Sequence, residues 1–298
     1  MTDSPELDAA SITIDLGQAI HALSDALDLV GVDEVFHGKR VGFMAVQCGR
    51  ALGLNEWALE DLFHAALLHD CGVSSTCVHR CLVNELDWAD SERHCLKGGE
   101  LLERFPPLAH LAPIIRYHHT HWDALDALGL PEPIARLSNL IYLVDRVDAL
   151  ARPHYEGDLL LARHAIRETV ERLSGAYFAP ELVRLFLQVS ENEAFWLNLE
   201  PRHLIRFVYE RERECRPILI SFVELRQLAL ELKQVLQHYL DANPAKRECH
   251  TAYLRDYLQQ PEIGRYLGLL DTPDGAQVKI IALPSRKEEM ANVMNRLL

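Results

Sequence analysis

The stretch "HAALLHDCGVSS", residues 64–75, decides the fold of this chain. Ala65-Ala66-Leu67-Leu68 is small and apolar, then His69 and Asp70 stand side by side, and Gly72 breaks the segment. A helix carrying an apolar face into a core gains nothing from an imidazole and a carboxylate at its end. Burying the two unpaired would cost roughly several kcal/mol. The pair therefore needs something set against it.

Outward from that stretch, helical periodicity dominates the first two thirds of the chain. "WALEDLFHAALLHD" (57–70) places Leu59, Leu62, Phe63, Ala66, Leu67 and Asp70 at spacings of three and four, a single stripe. "VGFMAVQCGRALGL" (41–54) and "SERHCLKGGELLERF" (91–105) have similar spacing. So do "PIARLSNLIYLVDRVDAL" (133–150), "DLLLARHAIRETVERLS" (158–174) and "PELVRLFLQVSENEAFW" (180–196). Pro133 and Pro180 sit where first-turn prolines belong. No convincing strand is predicted before residue 260, and the connections are short, so the fold class is all-α, a compact helical bundle.

"RERECRP" (211–217) breaks this pattern with charge and a proline. The expected division is an N-terminal tail (1–14), a helical domain (15–212) and a C-terminal extension (213–298). The extension would hold a long helix from about Ile218 to Leu240. A hairpin would follow within 267–284, turning at Asp271-Thr272-Pro273-Asp274-Gly275. A last helix would open on a Ser285/Glu288 capping box.

The chain has 298 residues, 49 % hydrophobic and 25 % charged, with a formal charge of −14. That charge disfavours a partner such as duplex DNA or RNA, whose phosphate backbone requires a basic face. No apolar run approaches the roughly 20 residues of a membrane span. The acidic start "MTDSPELDAASITIDLGQAI" lacks a signal pattern, and a cytoplasmic location is expected. Cysteines 48, 71, 77, 81, 95, 215 and 249 are odd in number and form no CxxC, so reduced, packed thiols are expected. Cys71, Cys77, Cys81 and Cys95 cluster around the opening stretch, and a redox or metal-poisoning role is the alternative.

Nine of the fifteen histidines lie between residues 37 and 121: His37, His64, His69, His79, His94, His110, His118, His119 and His121. Asp145 interrupts the apolar "LIYLVDRVDAL". Its plain reading is a partner for Arg146 or Arg152. The alternative is that it turns inward to a metal, since imidazole and carboxylate suit Fe, Mn, Zn and Ni. A bound dication would also pair the buried charge at His69-Asp70.

The ordered set His37, His69-Asp70 and Asp145 resembles the HD-domain superfamily of metal-dependent phosphohydrolases. The resemblance extends to its HD-GYP branch. "HGKRV" (37–41) is similar to the first His motif and "AALLHDCG" (65–72) to the His-Asp motif. "ERHCLKGGELL" (92–102), "IIRYHHTHWD" (114–123) and "LVDRVDALARP" (143–153) resemble the later His, double-His and Asp motifs. The resemblance covers about residues 30–195. It implies an HD-type bundle with two iron or manganese ions held by His37, His69, Asp70, His94, His118, His119 and Asp145. A third ion is implied if Asp33, one turn before His37, or its neighbour Glu34 takes the place of the family's Glu. The implied reaction is hydrolysis of cyclic di-GMP or a related nucleotide by a metal-activated hydroxide, with His69 and the bridging Asp70 at its centre.

The chain departs from that pattern at three places. Val73 stands where the family has a phosphate-binding Lys, three residues after Asp70. The Gly-Tyr-Pro signature is replaced by "ALDALGLPEPI" (124–134). The segment after Asp145 is shortened, although Arg152-Pro153 is kept and Arg152 could hold a substrate phosphate. Three functions stay open: a divergent phosphodiesterase, a metal- or nucleotide-binding regulatory module that no longer turns over, and a diiron oxygenase of the same fold. His121, beside the double His, could touch substrate. His64, five residues before His69, is expected to pack in the core, and Ser74, Ser75 and Thr76 to cap a helix. The apolar helix near 218–240 could pair with a copy of itself in a homodimer.

Overall fold

The computed structural model describes residues 13–30, 36–73, 91–214 and 218–221. Eleven helices are present among them: α1 (Leu16–Val30), α2 (His37–Ala51), α3 (Glu56–Leu68), α4 (Glu92–Glu103), α5 (Ala112–Arg116), α6 (Trp122–Ala127), α7 (Glu132–Ala151), α8 (Leu159–Arg172), α9 (Pro180–Val189), α10 (Glu193–Leu197) and α11 (Pro201–Glu214). The expected helical bundle is observed, and all the described residues fall within one compact unit, residues 1–242.

Helix α7 is the central element. Ser138 through Asp148 are all buried, so Ser138, Asn139, Asp145, Arg146 and Asp148 lie inside the core along with the apolar residues between them. Helix α2 packs against both α3 and α7. Helix α3 starts at Asn55, whose side chain accepts a hydrogen bond from the Ala58 amide at 3.0 Å, and buries Leu59, Leu62, Phe63, Ala66 and Leu67. The buried set is wider than the single stripe read from the sequence, because Glu60, His64, Ala65 and Leu68 are buried as well. Tyr142, Phe105, Phe178, Phe186 and Trp196 extend the same core away from α3.

Two expectations about regular structure need correction. The single helix expected over 180–196 is two helices. The Asn192 side chain accepts from the Ala194 amide and caps a new start, while the Trp196 indole donates to the Ser190 carbonyl at the break. A two-stranded antiparallel ribbon also exists before residue 260: β1 (Thr13–Asp15) pairs with β2 (Leu219–Ser221), Ile14 opposite Ile220. Three-residue strands are too short to show an alternating pattern, so periodicity missed them. The long helix expected from Ile218 therefore cannot begin there, because residues 219–221 are extended. The remainder of that helix, the hairpin at 267–284 and the helix after Ser285 lie outside the described residues, as do Ser74, Ser75 and Thr76. The boundary expected at 213 falls inside the last turn of α11, and the ribbon joins residues on both sides of it. No helix among the described residues is long and apolar enough to cross a membrane.

Candidate metal centre

His37 is the first residue of α2. Phe36, just before it, has φ 78°, a left-handed conformation that costs a bulky residue about 1–3 kcal/mol. This turn brings the His37 ring to the end of α3. There its Nδ1 donates to Asp148 Oδ2 at 2.7 Å. Asp148 is itself held by Arg40, whose Nε donates to Oδ1 at 2.6 Å and whose guanidinium reaches Oδ2 at 3.0 Å. The Tyr155 hydroxyl also donates to Oδ1. With Nδ1 committed to a carboxylate, His37 presents Nε2 inward.

The same device recurs on two other rings. His69 caps the C-terminus of α3 and donates from Nδ1 to the Ala66 carbonyl at 2.7 Å. His118, just past α5, donates from Nδ1 to the Ile115 carbonyl at 2.6 Å. Their Nε2 atoms then face other acceptors: His37 and His69 meet Nε2 to Nε2 at 3.2 Å, and His94 and His118 do so at 3.2 Å. Two imidazole lone pairs at that distance repel unless a proton or a cation lies between them.

Two aspartates connect the groups. Asp70 places Oδ2 at 3.7 Å from His37 Nε2 and 3.5 Å from His69 Nε2, and Oδ1 at 3.3 Å from His94 Nε2. Asp145 places Oδ1 at 3.4 Å from His37 Nε2 and 3.7 Å from His69 Nε2, and Oδ2 at 3.5 Å from His119 Nε2. Each carboxylate thus turns one oxygen to each group. Oδ1 of Asp70 is buried and accepts no hydrogen bond among the described residues. Gly72 makes the approach of α4 possible: a Cβ there would lie 2.0 Å from the His94 carbonyl oxygen and 2.4 Å from the Gly98 nitrogen. His94 could not come so near Asp70 with any larger residue at 72.

Burial opposes charge on both aspartates, but the neighbours outweigh it. His69, His94 and His37 hold the Asp70 carboxyl well below the usual carboxylate range. Arg146 and His69 do the same for Asp145. On the imidazoles, burial together with neighbouring histidines pushes His118 down to about 3 and His119 well below its ordinary value. For His69 burial lowers the pKa, but Asp70 and Asp145 raise it above the ordinary value overall. Anionic carboxylates beside inward-facing imidazole nitrogens are the donor set that divalent cations require, with His69 giving up its proton on binding. The buried donors form two groups, His37-His69-Asp70 and His94-Cys95-His118-His119. The residues present fit divalent metal, which the two groups would hold with Asp70 facing both. Its side chain is 18 % exposed, against 1–9 % for His37, His69, His94, His119 and Asp145, so the centre opens to solvent at Asp70.

Comparison with known proteins agrees with this geometry. The HD domain family model matches residues 36–151, which run from the turn before His37 to the end of α7. Residues 36–151 are an HD domain. The chain is 37 % identical over 195 residues to the 3'3'-cGAMP-specific phosphodiesterase 1 of Vibrio cholerae, covering 64 % of this chain and 45 % of that protein. It is 29 % identical over 187 residues to a cyclic di-GMP phosphodiesterase of Thermotoga maritima, covering 60 % of this chain and 47 % of that one. The chain thus spans about half the length of the curated relatives it matches. A solved structure of a cyclic GMP-AMP specific phosphodiesterase from V. cholerae superposes with a TM-score of 0.59 at 17 % identity, over 96 % of this chain and 78 % of that one, which shows the fold. The HD domain is related to the HD-GYP-type phosphodiesterases of cyclic dinucleotides.

The HD domain brings together all seven residues that the motifs pointed to, His37, His69, Asp70, His94, His118, His119 and Asp145. Asp33 and Glu34 lie outside the described residues. The pairing of Asp145 with Arg146 is observed, Arg146 donating to its Oδ2 at 2.8 and 3.2 Å, while Oδ1 faces His37 and His69. The His121 ring packs on Tyr177 at 4.0 Å and stacks with Tyr142 at 6.0 Å. Tyr142 in turn lies 5.0 Å from the His119 ring, so His121 stands one aromatic layer outside the centre. Arg152 opens the short 3-10 turn Arg152–His154 after α7. His64 is buried against Phe63, as expected for a core histidine.

Sequence reasoning missed Asp148, Arg40 and Tyr155. Spacing held a signal for two of them. Asp148 follows Asp145 by three on α7, and Arg40 follows His37 by three on α2, so each lies beside a motif residue on the same helix face. The sequence sets Cys95 beside Cys71, Cys77 and Cys81, but the structure turns its thiol to His94 and His118.

Proposed function

We propose that this chain is a metal-dependent phosphodiesterase acting on a 3',3'-cyclic dinucleotide, with Asp70 bridging two divalent ions. The observation that carries this reading is the placement of one Asp70 oxygen toward each histidine group. His37, His69 and Asp145 would hold one ion and His94, His118 and His119 the other, with iron or manganese the expected metals and Asp33 available for a third. Bound ions there would supply Lewis acidity and a nucleophile at neutral pH for attack on phosphorus.

The chain's own residues do the rest. Asp148 fixes the His37 ring and Arg146 fixes Asp145, so the donors need no rearrangement to bind. Arg152 and the His121–Tyr177 stack are the groups we assign to substrate phosphate and base. The relatives named for cyclic GMP-AMP and cyclic di-GMP support a cyclic dinucleotide as substrate. We assign the activity to a domain of residues 15–212, with 213–298 as an extension, in a cytoplasmic and homodimeric protein. A second reading, a module that binds the nucleotide without cleaving it, is favoured by Val73, which offers no charge beside Asp70.

The test is incubation of anaerobically purified, Fe- or Mn-loaded protein with 3',3'-cyclic GMP-AMP and with cyclic di-GMP, with chromatography for the linear product. Product formation that is abolished in Asp70→Ala supports hydrolysis. Tight binding without product would establish the binding module instead. A protein that takes up no metal would sink both readings.

A further inference from the structure

Cys95 follows His94 directly on α4, yet its thiol reaches the point where the imidazole nitrogens converge. Sγ lies 3.6 Å from His94 Nε2 and 3.8 Å from His118 Nε2, and the residue is buried. These distances can be compared with those between ligands of one ion. A tetrahedral site with metal–N about 2.0–2.1 Å and metal–S about 2.3 Å has N···N edges of about 3.3 Å and N···S edges of about 3.6 Å. The His94–His118 separation of 3.2 Å and the two sulfur distances fall close to those edges. One further buried atom at this position lacks a hydrogen-bond partner among the described residues: Asp70 Oδ1, which lies toward His94 Nε2.

We propose that Cys95 is a ligand of the second metal position, so that this position binds its ion through imidazole and thiolate together. On binding, the S–H bond breaks, its proton passes to solvent, the hydrogen bond from Sγ to the Ser91 carbonyl is given up, and a metal–sulfur bond forms. No change of oxidation state is involved. Burial and the nearby Asp70 carboxylate keep the free thiol protonated, so the ion itself must displace the proton. A thiolate shifts preference toward borderline-soft ions such as Zn(II), Co(II) and Fe(II), and away from Mn(II) and Mg(II). The inference rests on the metal-centre reading above and adds to it the chemical class of ion that the second position selects.

The experiment is titration of the metal-free full chain with Co(II), followed in the near-ultraviolet for sulfur-to-cobalt charge transfer. X-ray absorption of the Zn(II)-loaded protein is the second measurement. The expected result is a charge-transfer band that disappears in Cys95→Ser and persists in Cys71→Ser, with a Zn–S distance of about 2.3 Å. Affinity for Zn(II) should fall at least tenfold in Cys95→Ser while that for Mn(II) stays within twofold. If the wild-type protein binds Co(II) and Zn(II) through nitrogen and oxygen only, Cys95 is not a ligand and the two-ion reading survives. If it binds neither those ions nor Mn(II), both readings fall together. The wild-type spectrum decides between these outcomes even if Cys95→Ser does not fold.

Discussion

The Nδ1 of His37 lies 2.7 Å from Oδ2 of Asp148, 111 residues further along the chain, and this pairing determines which ring nitrogen faces the metal centre. Asp148 is fully buried and binds Arg40 and Tyr155 as well. Burial alone would raise its pKa, but Arg40 and His37 reverse that and keep it a carboxylate at any ordinary pH. Asp148→Asn keeps the shape and removes the charge. Affinity for divalent metal should fall about 10–100-fold, the usual effect of losing the group that orients a ligating histidine. Metal titration of the variant checks this, and unchanged affinity would show that the His37 ring is held by packing alone.

Asp70 offers an oxygen to each histidine group and, unlike Asp145, accepts no hydrogen bond from an arginine among the described residues. In Asp70→Ala the protein should retain at most one metal per chain, and diester hydrolysis should drop by about a thousandfold or more, since a bridged pair of ions acts as a unit. Elemental analysis with a chromatographic assay measures both. Full metal content in the variant would mean that Asp145 alone is the bridge.

Val73 is partly buried, and its amide donates to the Asp70 carbonyl at 2.9 Å, so its side chain starts one turn from the centre's exposed side. Val73→Lys would introduce an ammonium there. A charge-assisted contact to phosphate is worth about 1.5–3 kcal/mol, so kcat/KM for the cyclic dinucleotide should rise roughly tenfold or more. Steady-state kinetics of the two proteins, side by side, answers the question. An unchanged value would place the phosphate elsewhere, with Arg152 the next residue to vary.

Gly72 has backbone on both sides of the missing Cβ, at 2.0 and 2.4 Å. Neither neighbour is the flexible end of a side chain, so Gly72→Ala must push α4 away from the His-Asp turn. Destabilisation of about 2–3 kcal/mol is expected, at the upper end of ordinary overpacking. Urea unfolding of the metal-free protein would show it. Metal affinity should fall as well, because His94 moves with α4.

His64 is a buried core histidine, pushed down to about 4 mainly by burial. An unfolded chain protonates it near 6.5, whereas the native state does not do so until about pH 4. Between those values the unfolded state binds more protons, so stability falls as the pH is lowered through this window. At pH 5 the loss from this one residue is about 2 kcal/mol relative to pH 7.5. His64→Gln removes it. The stability difference between wild type and variant in the metal-free protein should therefore shift by about that amount between pH 7.5 and 5, and parallel pH profiles would refute the assignment.

What the sequence by itself determined follows from short-range patterns. The stripe from Leu59 to Asp70, the polar pair at the end of an apolar helix and the aspartate inside the apolar α7 all repeat within a few residues. Helical geometry turns such spacing directly into a face. The helical class and five of the eleven described helices follow from that, while the seven candidate ligands rest on the resemblance of the motifs. Tertiary structure alone decided the contacts that join distant segments. The pairing of His37 with Asp148, the ion pair of Arg40 across α2 and α7, the ribbon between Ile14 and Ile220 and the turn of Cys95 toward His118 each depend on how helices pack. Spacing along one element carries no information about which side chain of another element will lie opposite it. Spacing marks Asp148 and Arg40 as neighbours of motif residues, but that they orient His37, and that a sulfur lies beside His94 and His118, is seen only once the helices are assembled.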